Sequence, residues 1–214
     1  MQETGHPLDA WISAADRALR SLLAPAAGAR AVPGHLEPEE PTTLSPAEKR
    51  RSAALMRVNH AGEIAAQALY HGQALVARSS GTRQLLLKAA REEADHLAWC
   101  ATRLAELDAR PSVLDPLWYA GSFVIGALTA LQGDRTSLGF VVETERQVEG
   151  HLNEHLARLP PKDGRSRAIL ETMRADEVMH GANAQAAGAA TLPWPVREVM
   201  RGTAKLMTRT AYWL

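Results

Sequence analysis

Two Glu-x-x-His motifs are the residues of this chain whose types and spacing most clearly allow chemistry. The first places Glu93 before His96, and the second places Glu177 before His180. Because residues i and i+3 share one face of an α-helix, each motif directs a carboxylate and an imidazole to the same side. Each motif therefore offers two groups that bind transition-metal ions.

A further glutamate precedes each motif at nearly the same separation, Glu63 before the first and Glu145 before the second. In two antiparallel helices joined by a short turn, residues near the middle of each helix lie opposite one another. Four glutamates and two histidines on four helices form the donor set of ferritin-like di-iron and di-manganese bundles. The predicted metal ligands are Glu63, Glu93, His96, Glu145, Glu177 and His180.

The donor set indicates which metals are expected. Carboxylates that bridge two metals offset their combined charge, and the remaining open coordination positions leave room for dioxygen. Zinc fits poorly, since structural zinc prefers cysteine and histidine. We therefore expect iron or manganese, and no catalytic residue or organic cofactor beyond these ligands.

Three residues near the ligands are candidates for a supporting role. Glu92 stands four residues before His96, and Asp176 stands four residues before His180. This spacing predicts that each acid accepts the second N–H of the histidine in its own motif. His151 is the third candidate, because it follows Glu145 by six residues on a similar helical bearing.

Two ambiguities concern the neighbours of the ligands. Glu143 lies two positions before Glu145, and because a helix turns about 100° per residue, only one of them can face the metals. Gly62 lies mid-helix beside Glu63, where glycine costs about 1 kcal/mol relative to alanine. A gap beside the metals, close approach of a second helix or ordinary packing would each explain this glycine.

The elements that must position these residues are helices. Ser45, Pro46 and Glu48 form a capping-box pattern at the start of a long helix, and no stretch alternates as a strand would. We predict an all-α, ferritin-like four-helix bundle with additional N-terminal, membrane-facing and C-terminal helices. The predicted helices span about 8–23, 45–78, 82–108, 112–132, 134–159, 165–187 and 196–213. We divide the chain into an N-terminal helix with a Pro-rich arm (1–44) and the bundle domain (45–214).

Composition excludes several classes of protein. Lys and Arg together number 24, as do Asp and Glu, so no basic excess exists to bind nucleic acid. Cys100 is the single cysteine, which excludes an internal disulfide and fits a reducing compartment. We expect it to be a small core residue. The first residues lack the basic and apolar regions of a secretory signal.

Residues 116–133 carry no charge and raise the question of a membrane. Their length is at the lower limit for a spanning helix, and glycines and polar residues interrupt them. We expect a bundle helix whose apolar outer face touches a bilayer without crossing it. Trp118, Tyr119 and Trp213 are candidates for positions at headgroup depth.

The motifs resemble those of the demethoxyubiquinone hydroxylase family of ubiquinone biosynthesis, over roughly residues 45–214. The likeness is carried by Asn-His-Ala-Gly-Glu at 59–63, the two Glu-x-x-His motifs, and Glu-Thr-Glu at 143–145 followed by His151. The N-terminal helix and arm resemble the longer bacterial form. The spacing to His151 matches the family and favours Glu145 over Glu143. Some members have a tyrosine after that histidine, where this chain has Leu152, so no role of that tyrosine carries over.

The resemblance implies a di-iron monooxygenase that hydroxylates the ring of a polyprenylated methoxy-benzoquinol, demethoxyubiquinol, with dioxygen. Two Fe²⁺ ions per chain would be held by the six ligands named above. The implied partners are the quinol, dioxygen, an electron donor, other ubiquinone-biosynthesis proteins and a membrane surface, with no nucleic acid. The implied location is the cytoplasmic side of the cell membrane, peripherally attached.

Other roles for a ferritin-like di-iron protein give different expectations. A hydroxylase of a modified tRNA base would show a basic face, which the charge balance does not favour. A rubrerythrin-like peroxide scavenger would need a Cys-rich electron-transfer site. A non-catalytic iron- or lipid-binding protein would carry the same motifs, and quinol-dependent oxygen uptake would separate it from the hydroxylase.

Overall fold

The computed structural model describes residues 7–23, 28–34 and 43–214, and all regular structure in these residues is helical. This confirms the all-α class. The helices are α1 (Pro7–Leu23), α2 (Pro46–Val76), α3 (Ser80–Glu106), α4 (Asp115–Leu131), α5 (Asp134–Arg158), α6 (Gly164–Ala186) and α7 (Trp194–Trp213). Each begins and ends within about three residues of its predicted bounds, as expected for boundaries read from sequence.

The start of α2 has the predicted capping box. The Ser45 hydroxyl accepts from the backbone N–H of Glu48, and the Ser45 N–H donates to the Glu48 carboxylate at 2.8 Å. Pro46 occupies the first turn, where no intrahelical N–H is needed. The N-terminus of the longest bundle helix is therefore fixed by local sequence.

Four antiparallel helices, α2, α3, α5 and α6, form the bundle. Antiparallel pairing of α2 with α3 is seen where the Gln67 amide donates to the Ala90 carbonyl at 3.1 Å and, further along α2, the Ala74 carbonyl accepts from Arg83 at 3.2 Å. Antiparallel pairing of α3 with α6 is seen where Arg103 donates to the Ser166 hydroxyl at 2.9 Å, some two turns beyond the pairing of His96 with Asp176. These contacts show the register of α3 against both α2 and α6.

Two apolar clusters fill the bundle, one toward each end. The first includes Met56, Trp99, Leu104, Leu152, Ile169 and Met173, together with Cys100. The second includes Leu69, Tyr70, Leu86, Leu138, Val141 and Ala184. On every bundle helix the predicted ligands fall between residues of the two clusters, so the polar centre is enclosed at both ends. Cys100 is fully buried in the first cluster, as predicted.

α4 connects α3 to α5 by crossing over α2, and glycines make the crossing close. A Cβ at Gly72 would lie 2.1 Å from the Phe123 carbonyl oxygen, and a Cβ at Gly126 would lie 2.2 Å from that of Leu69. Only glycine permits this approach of two backbones. Gly133, with φ of 114°, then provides the predicted break before α5.

Apolar side chains cover the outer faces of α4 and α7. The exposed ones are Leu117, Val124, Ile125, Leu128 and Leu131 on α4, and Val196, Val199, Leu206 and Trp213 on α7. Trp213 is 80% exposed, whereas Trp118 is half-buried against Ala61. Of the three candidates for headgroup depth, Tyr119 is instead a buried residue, with its hydroxyl 3.1 Å from His71 Nδ1. Within the described residues no helix combines the length and apolarity that crossing a membrane requires.

The N-terminal part divides into a helix and an arm, both lying on the bundle. In α1, Leu22 packs against the bundle, whereas Ile12, Leu19 and Leu23 are exposed. Residues 28–34, called the arm segment here, lie against α3 and α6, where Arg165 donates to the Pro33 carbonyl at 2.8 Å.

Candidate metal centre

The six predicted ligands come together in the middle of the bundle. They form two groups, within each of which one ligand atom per residue lies within 4.8 Å of the others. The first group is Glu63, Glu93, His96 and Glu177, and the second is Glu93, Glu145, Glu177 and His180. Glu93 and Glu177 belong to both groups. Two overlapping four-residue groups with shared carboxylates match the arrangement of a two-metal site.

Both imidazoles direct Nδ1 into the cluster. Nδ1 of His96 lies 2.9 Å from a Glu93 oxygen, 3.2 Å from Glu177 and 3.4 Å from Glu63. Nδ1 of His180 lies 3.2 Å from Glu93 and 3.4 Å from Glu177. All of these side chains are buried. Nδ1 is therefore the nitrogen that either histidine would offer to a metal.

The outer nitrogens of the two histidines meet the two predicted acids, but the predicted pairing is wrong. Nε2 of His96 lies 2.9 Å from Asp176, and Nε2 of His180 lies 2.9 Å from Glu92. Each acid thus contacts the histidine on the other helix rather than the one that follows it in the chain. The reason is the antiparallel register of α3 and α6, which places the acid of one helix directly opposite the histidine of the other.

Several buried oxygens of the cluster lack a hydrogen-bond partner among the described residues. They are both carboxylate oxygens of Glu145, both of Glu177, and Oε1 of Glu93. A buried charged group without a partner is strongly unfavourable unless it is paired or binds a metal. Carboxylate oxygens with imidazole nitrogens are suitable donors for iron or manganese. The residues present therefore fit a pair of divalent cations.

The pKa values of the cluster residues also indicate that its carboxylates lack compensating positive charge. Burial and the adjacent Glu93 raise the pKa of Glu63 well above its usual value, and burial and Glu177 do the same to the pKa of Glu145. Burial alone lowers the pKa of His180, but the carboxylates of Glu177 and Glu93 outweigh it and raise this pKa to about 12. The raised pKa values mean that the cluster favours bound protons, which offset the negative charge of the carboxylates as bound cations would.

The structure shows which of Glu143 and Glu145 faces the other ligands. Glu145 lies in the cluster, whereas the Glu143 carboxylate points elsewhere and accepts from Arg146 and Gln147, each at 2.6 Å. Although Glu143 faces away from the metals, it is only 5% exposed. Two positions on one helix are thus both buried, in different surroundings.

His151 does not take the supporting position predicted for it. Its ring lies 6.1 Å from that of His155, and His155 in turn contacts the Asn59 amide oxygen at 2.9 Å. Among the contacts of the described residues, the Nε2 atoms of the ligand histidines meet Asp176 and Glu92 instead. His151 belongs to the lining of a neighbouring cavity.

This apolar cavity, of about 300 Å³, lies beside the cluster between α2, α4, α5 and α7. Its lining includes Gly62 and Thr144, the chain neighbours of Glu63 and Glu145. A Cβ at Gly62 would meet no heavy atom within 4 Å. Close helix approach is thus excluded for this glycine, which faces the open space of the cavity.

Sequence reasoning missed Arg30. Its guanidinium lies 2.7 Å from Asp176, the acid that meets His96. The Pro-rich stretch around it has no helical period, so no sequence signal indicated that it would reach the bundle. The cavity was signalled only by the unusual position of Gly62.

Comparisons with known proteins place these residues in one family. Residues 50–211 match the family model described as ubiquinone biosynthesis protein COQ7. A protein from Burkholderia ambifaria is 56% identical over 209 residues, which cover 97% of this chain and 99% of the relative. One from Cupriavidus pinatubonensis is 55% identical over 205 residues, covering 96% and 99%. One from Bordetella pertussis is 55% identical over 208 residues, covering 97% and 93%. All three relatives bear the name 3-demethoxyubiquinol 3-hydroxylase.

Proposed function

The chain belongs to the COQ7 family of ubiquinone biosynthesis proteins, and from this premise we propose that it is a 3-demethoxyubiquinol 3-hydroxylase. Its reaction would replace a ring hydrogen of a polyprenylated methoxy-benzoquinol with a hydroxyl group. The observation that carries the proposal is the buried double cluster of four glutamates and two histidines beside an apolar cavity. The other di-iron roles, tRNA hydroxylase or iron store, are not favoured.

We assign two ferrous ions to the cluster. One ion would be held by Glu63 and His96, the other by Glu145 and His180, with two shared glutamates, Glu93 and Glu177, between them. When bound, the two ions would supply the activation of dioxygen, with two electrons from a donor, so that one oxygen atom enters the ring and the other leaves as water. No other cofactor is needed for this reaction.

The chain's own contribution begins with the orientation of the histidines. With metals bound, Asp176 and Glu92 would accept the Nε2 protons of His96 and His180, so that each inward Nδ1 would have a lone pair for its metal. The two apolar clusters at the ends of the bundle exclude water from the site. A dry, fixed donor set protects reactive oxygen from side reactions.

The cavity provides a place for the quinol ring. Its walls are mostly apolar, with Leu69, Ile125 and Phe140 among them, and Gly62, the chain neighbour of Glu63, leaves open space in its lining. Thr144 and Gln147 add a few polar groups that suit ring oxygens. A volume of about 300 Å³ holds a ring and little of a polyprenyl tail, which would leave between α4 and α7.

The outer apolar faces of α4 and α7 support peripheral attachment to the cytoplasmic side of the cell membrane, where a polyprenyl quinol resides. Both helices also line the cavity, through Ile125 and Val199 among others. An apolar face that lies in the interface would let the substrate enter without crossing water. Extraction of membranes with alkaline carbonate should release the protein, and retention in the pellet would contradict peripheral attachment.

The activity is tested with iron-loaded protein, a short-tailed demethoxyubiquinol, a chemical reductant and isotopically labelled dioxygen. We expect one labelled oxygen atom in each hydroxylated product, formed at a rate that depends on the quinol. Unconsumed quinol in the presence of protein that holds two irons would refute the hydroxylase. Quinones from cells that lack the protein should show the demethoxy precursor in place of ubiquinone.

A further inference from the structure

The arm segment, residues 28–34, covers one half of the metal centre. Backbone N–H groups of Ala29 and Arg30 donate to Oδ1 of Asp95, the residue before the ligand His96. The Arg30 side chain donates from Nε to Oδ2 of Asp95 at 2.9 Å and from Nη2 to Asp176 at 2.7 Å. Asp95 lies on α3 and Asp176 on α6. One guanidinium therefore bridges the two helices that carry the Glu-x-x-His motifs.

The contact with Asp176 leads directly to a predicted metal ligand. The oxygen that accepts from Arg30, Oδ2, is also the oxygen that lies 2.9 Å from His96 Nε2. Hydrogen bonds between charged groups are stronger than neutral ones. Arg30 thereby holds the Asp176 carboxylate in the position from which it orients His96.

Trp99 forms a second connection from Arg30 to His96. The guanidinium lies 4.6 Å from the centre of the Trp99 ring, and the indole N–H donates to the Arg30 carbonyl at 3.3 Å. The Trp99 ring in turn lies 5.3 Å from the His96 ring and is 1% exposed. His96 is thus held between Asp176 and Trp99, and Arg30 contacts both.

Among the described residues, no segment covers the His180 half of the centre as the arm segment covers the His96 half. Glu92, the acid of His180, pairs with Lys88 on the same helix, at 3.0 Å and through its other oxygen. The Lys88 side chain is 63% exposed, against 41% for Arg30. Exposed helix pairs of this spacing contribute only about 0.3–0.5 kcal/mol. Lys88 is therefore a matched control for Arg30.

We propose that Arg30 is a positioning residue of the metal centre, through which the arm segment orients His96 for its metal ion. The inference rests on the two-iron centre proposed above. It gives a residue outside the four-helix bundle a role in holding one of the two irons. Since binding equilibria are reciprocal, iron that depends on the arm segment must also tighten the arm segment.

The test compares Arg30→Gln, Arg30→Lys and Lys88→Gln in the full chain loaded with ferrous iron. Release of iron to a chelator and Mössbauer spectra report on the two irons separately. In Arg30→Gln we expect one iron to be released about tenfold faster, within the range known for residues that support ligands, with one of two Mössbauer signals shifted. Arg30→Lys should restore only part of the slow iron release of the original protein, because an ammonium group cannot bridge two carboxylates as a guanidinium does. Lys88→Gln should match the original protein.

The outcomes separate this inference from the proposed function. If the unaltered protein binds fewer than two irons, the proposal of a two-iron centre is refuted, and the inference about Arg30 is refuted with it. If the unaltered protein binds two irons and Arg30→Gln releases both at the original rates with unchanged spectra, only the inference is overturned.

A second measurement needs no variant and stands even if Arg30→Gln does not fold. Trypsin cleaves after arginine, so cleavage after Arg30 should be slower in iron-loaded protein than in metal-free protein. Equal cleavage rates in the two forms would overturn the inference, because the arm segment would then be independent of the metals.

Discussion

The two halves of the centre are built from the same motif but have different surroundings. On the His96 side, the arm segment lies over Asp95 and Asp176, and the imidazole is fully buried. On the His180 side, the supporting acid Glu92 lines a surface cavity of about 430 Å³. The repeated sequence sets the ligands of both halves alike, while a segment outside the repeat covers only one.

The comparison shows that equal ligands need not hold metals equally. The position of an imidazole depends on the group that accepts its outer proton and on how firmly that group is itself held. Asp176 is held by an arginine from a distant segment, whereas Glu92 is held by an exposed lysine one turn away. We therefore expect the iron beside His96 to be released more slowly than the iron beside His180.

The largest effect is expected where the two halves meet. Glu177→Ala removes a carboxylate that belongs to both groups, so both irons should be lost and hydroxylation should stop. Helix content, measured by circular dichroism, should remain, because the apolar clusters do not include this side chain. Metal analysis that still finds two irons would show that Glu177 is not shared.

The next change affects one half only. Glu145→Gln should abolish hydroxylation and weaken the iron beside His180 while the signal of the other iron persists in Mössbauer spectra. Glu143→Gln is the control on the same helix. It alters the contacts of Glu143 with Arg146 and Gln147, which lie outside the metal cluster, so iron binding should be unchanged. Loss of iron in the control but not in Glu145→Gln would mean that the two roles are reversed.

Substitution of the two supporting acids measures directly how much each half depends on its acid. Asp176→Asn and Glu92→Gln should each weaken iron binding by about tenfold to a hundredfold, as is usual for carboxylates that orient ligand histidines. The larger effect is expected for Asp176, because its loss also breaks the contact with Arg30. Chelator titrations of the two variants measure this order, and a larger effect in Glu92→Gln would reverse the proposed difference.

The smallest effect is expected at the cavity that both halves share. Gly62→Ala should fit without a clash and raise the free energy of unfolding by up to about 1 kcal/mol. Gly62→Leu should fill the inner end of the cavity and raise KM for the quinol, with iron content unchanged. An unchanged KM in Gly62→Leu would remove the cavity from the path of the substrate.

The sequence predicted what depends on local pattern. Helix bounds follow from periodicity and caps such as Ser45 with Glu48, and the spacing within the motifs brings ligands to one face of each helix. The six predicted ligands do converge in the structure, and their binding of iron stays a prediction. Local rules are sufficient for the helix bounds and for the face that each motif presents, because each involves residues within a turn or two. The convergence of the four helices was predicted instead from the match of the donor set to ferritin-like bundles.

Features that depend on contacts between distant elements were missed. The exchange of Glu92 and Asp176 between motifs requires the register of α3 against α6, which no local pattern encodes. Arg30 reaches an acid 146 positions further along the chain. Tyr119 is buried in an apolar cluster, with its hydroxyl 3.1 Å from His71 on another helix. The outer layer of the site was therefore inaccessible to reasoning from spacing alone.

The central claim, that the doubled motif holds two metals between shared carboxylates, is tested most directly by anomalous diffraction at the iron absorption edge from iron-loaded crystals. We predict two peaks about 3.5–4 Å apart, one beside Nδ1 of His96 and one beside Nδ1 of His180, with Glu93 and Glu177 contacting both. A single peak, or iron bound away from these side chains, would contradict the account.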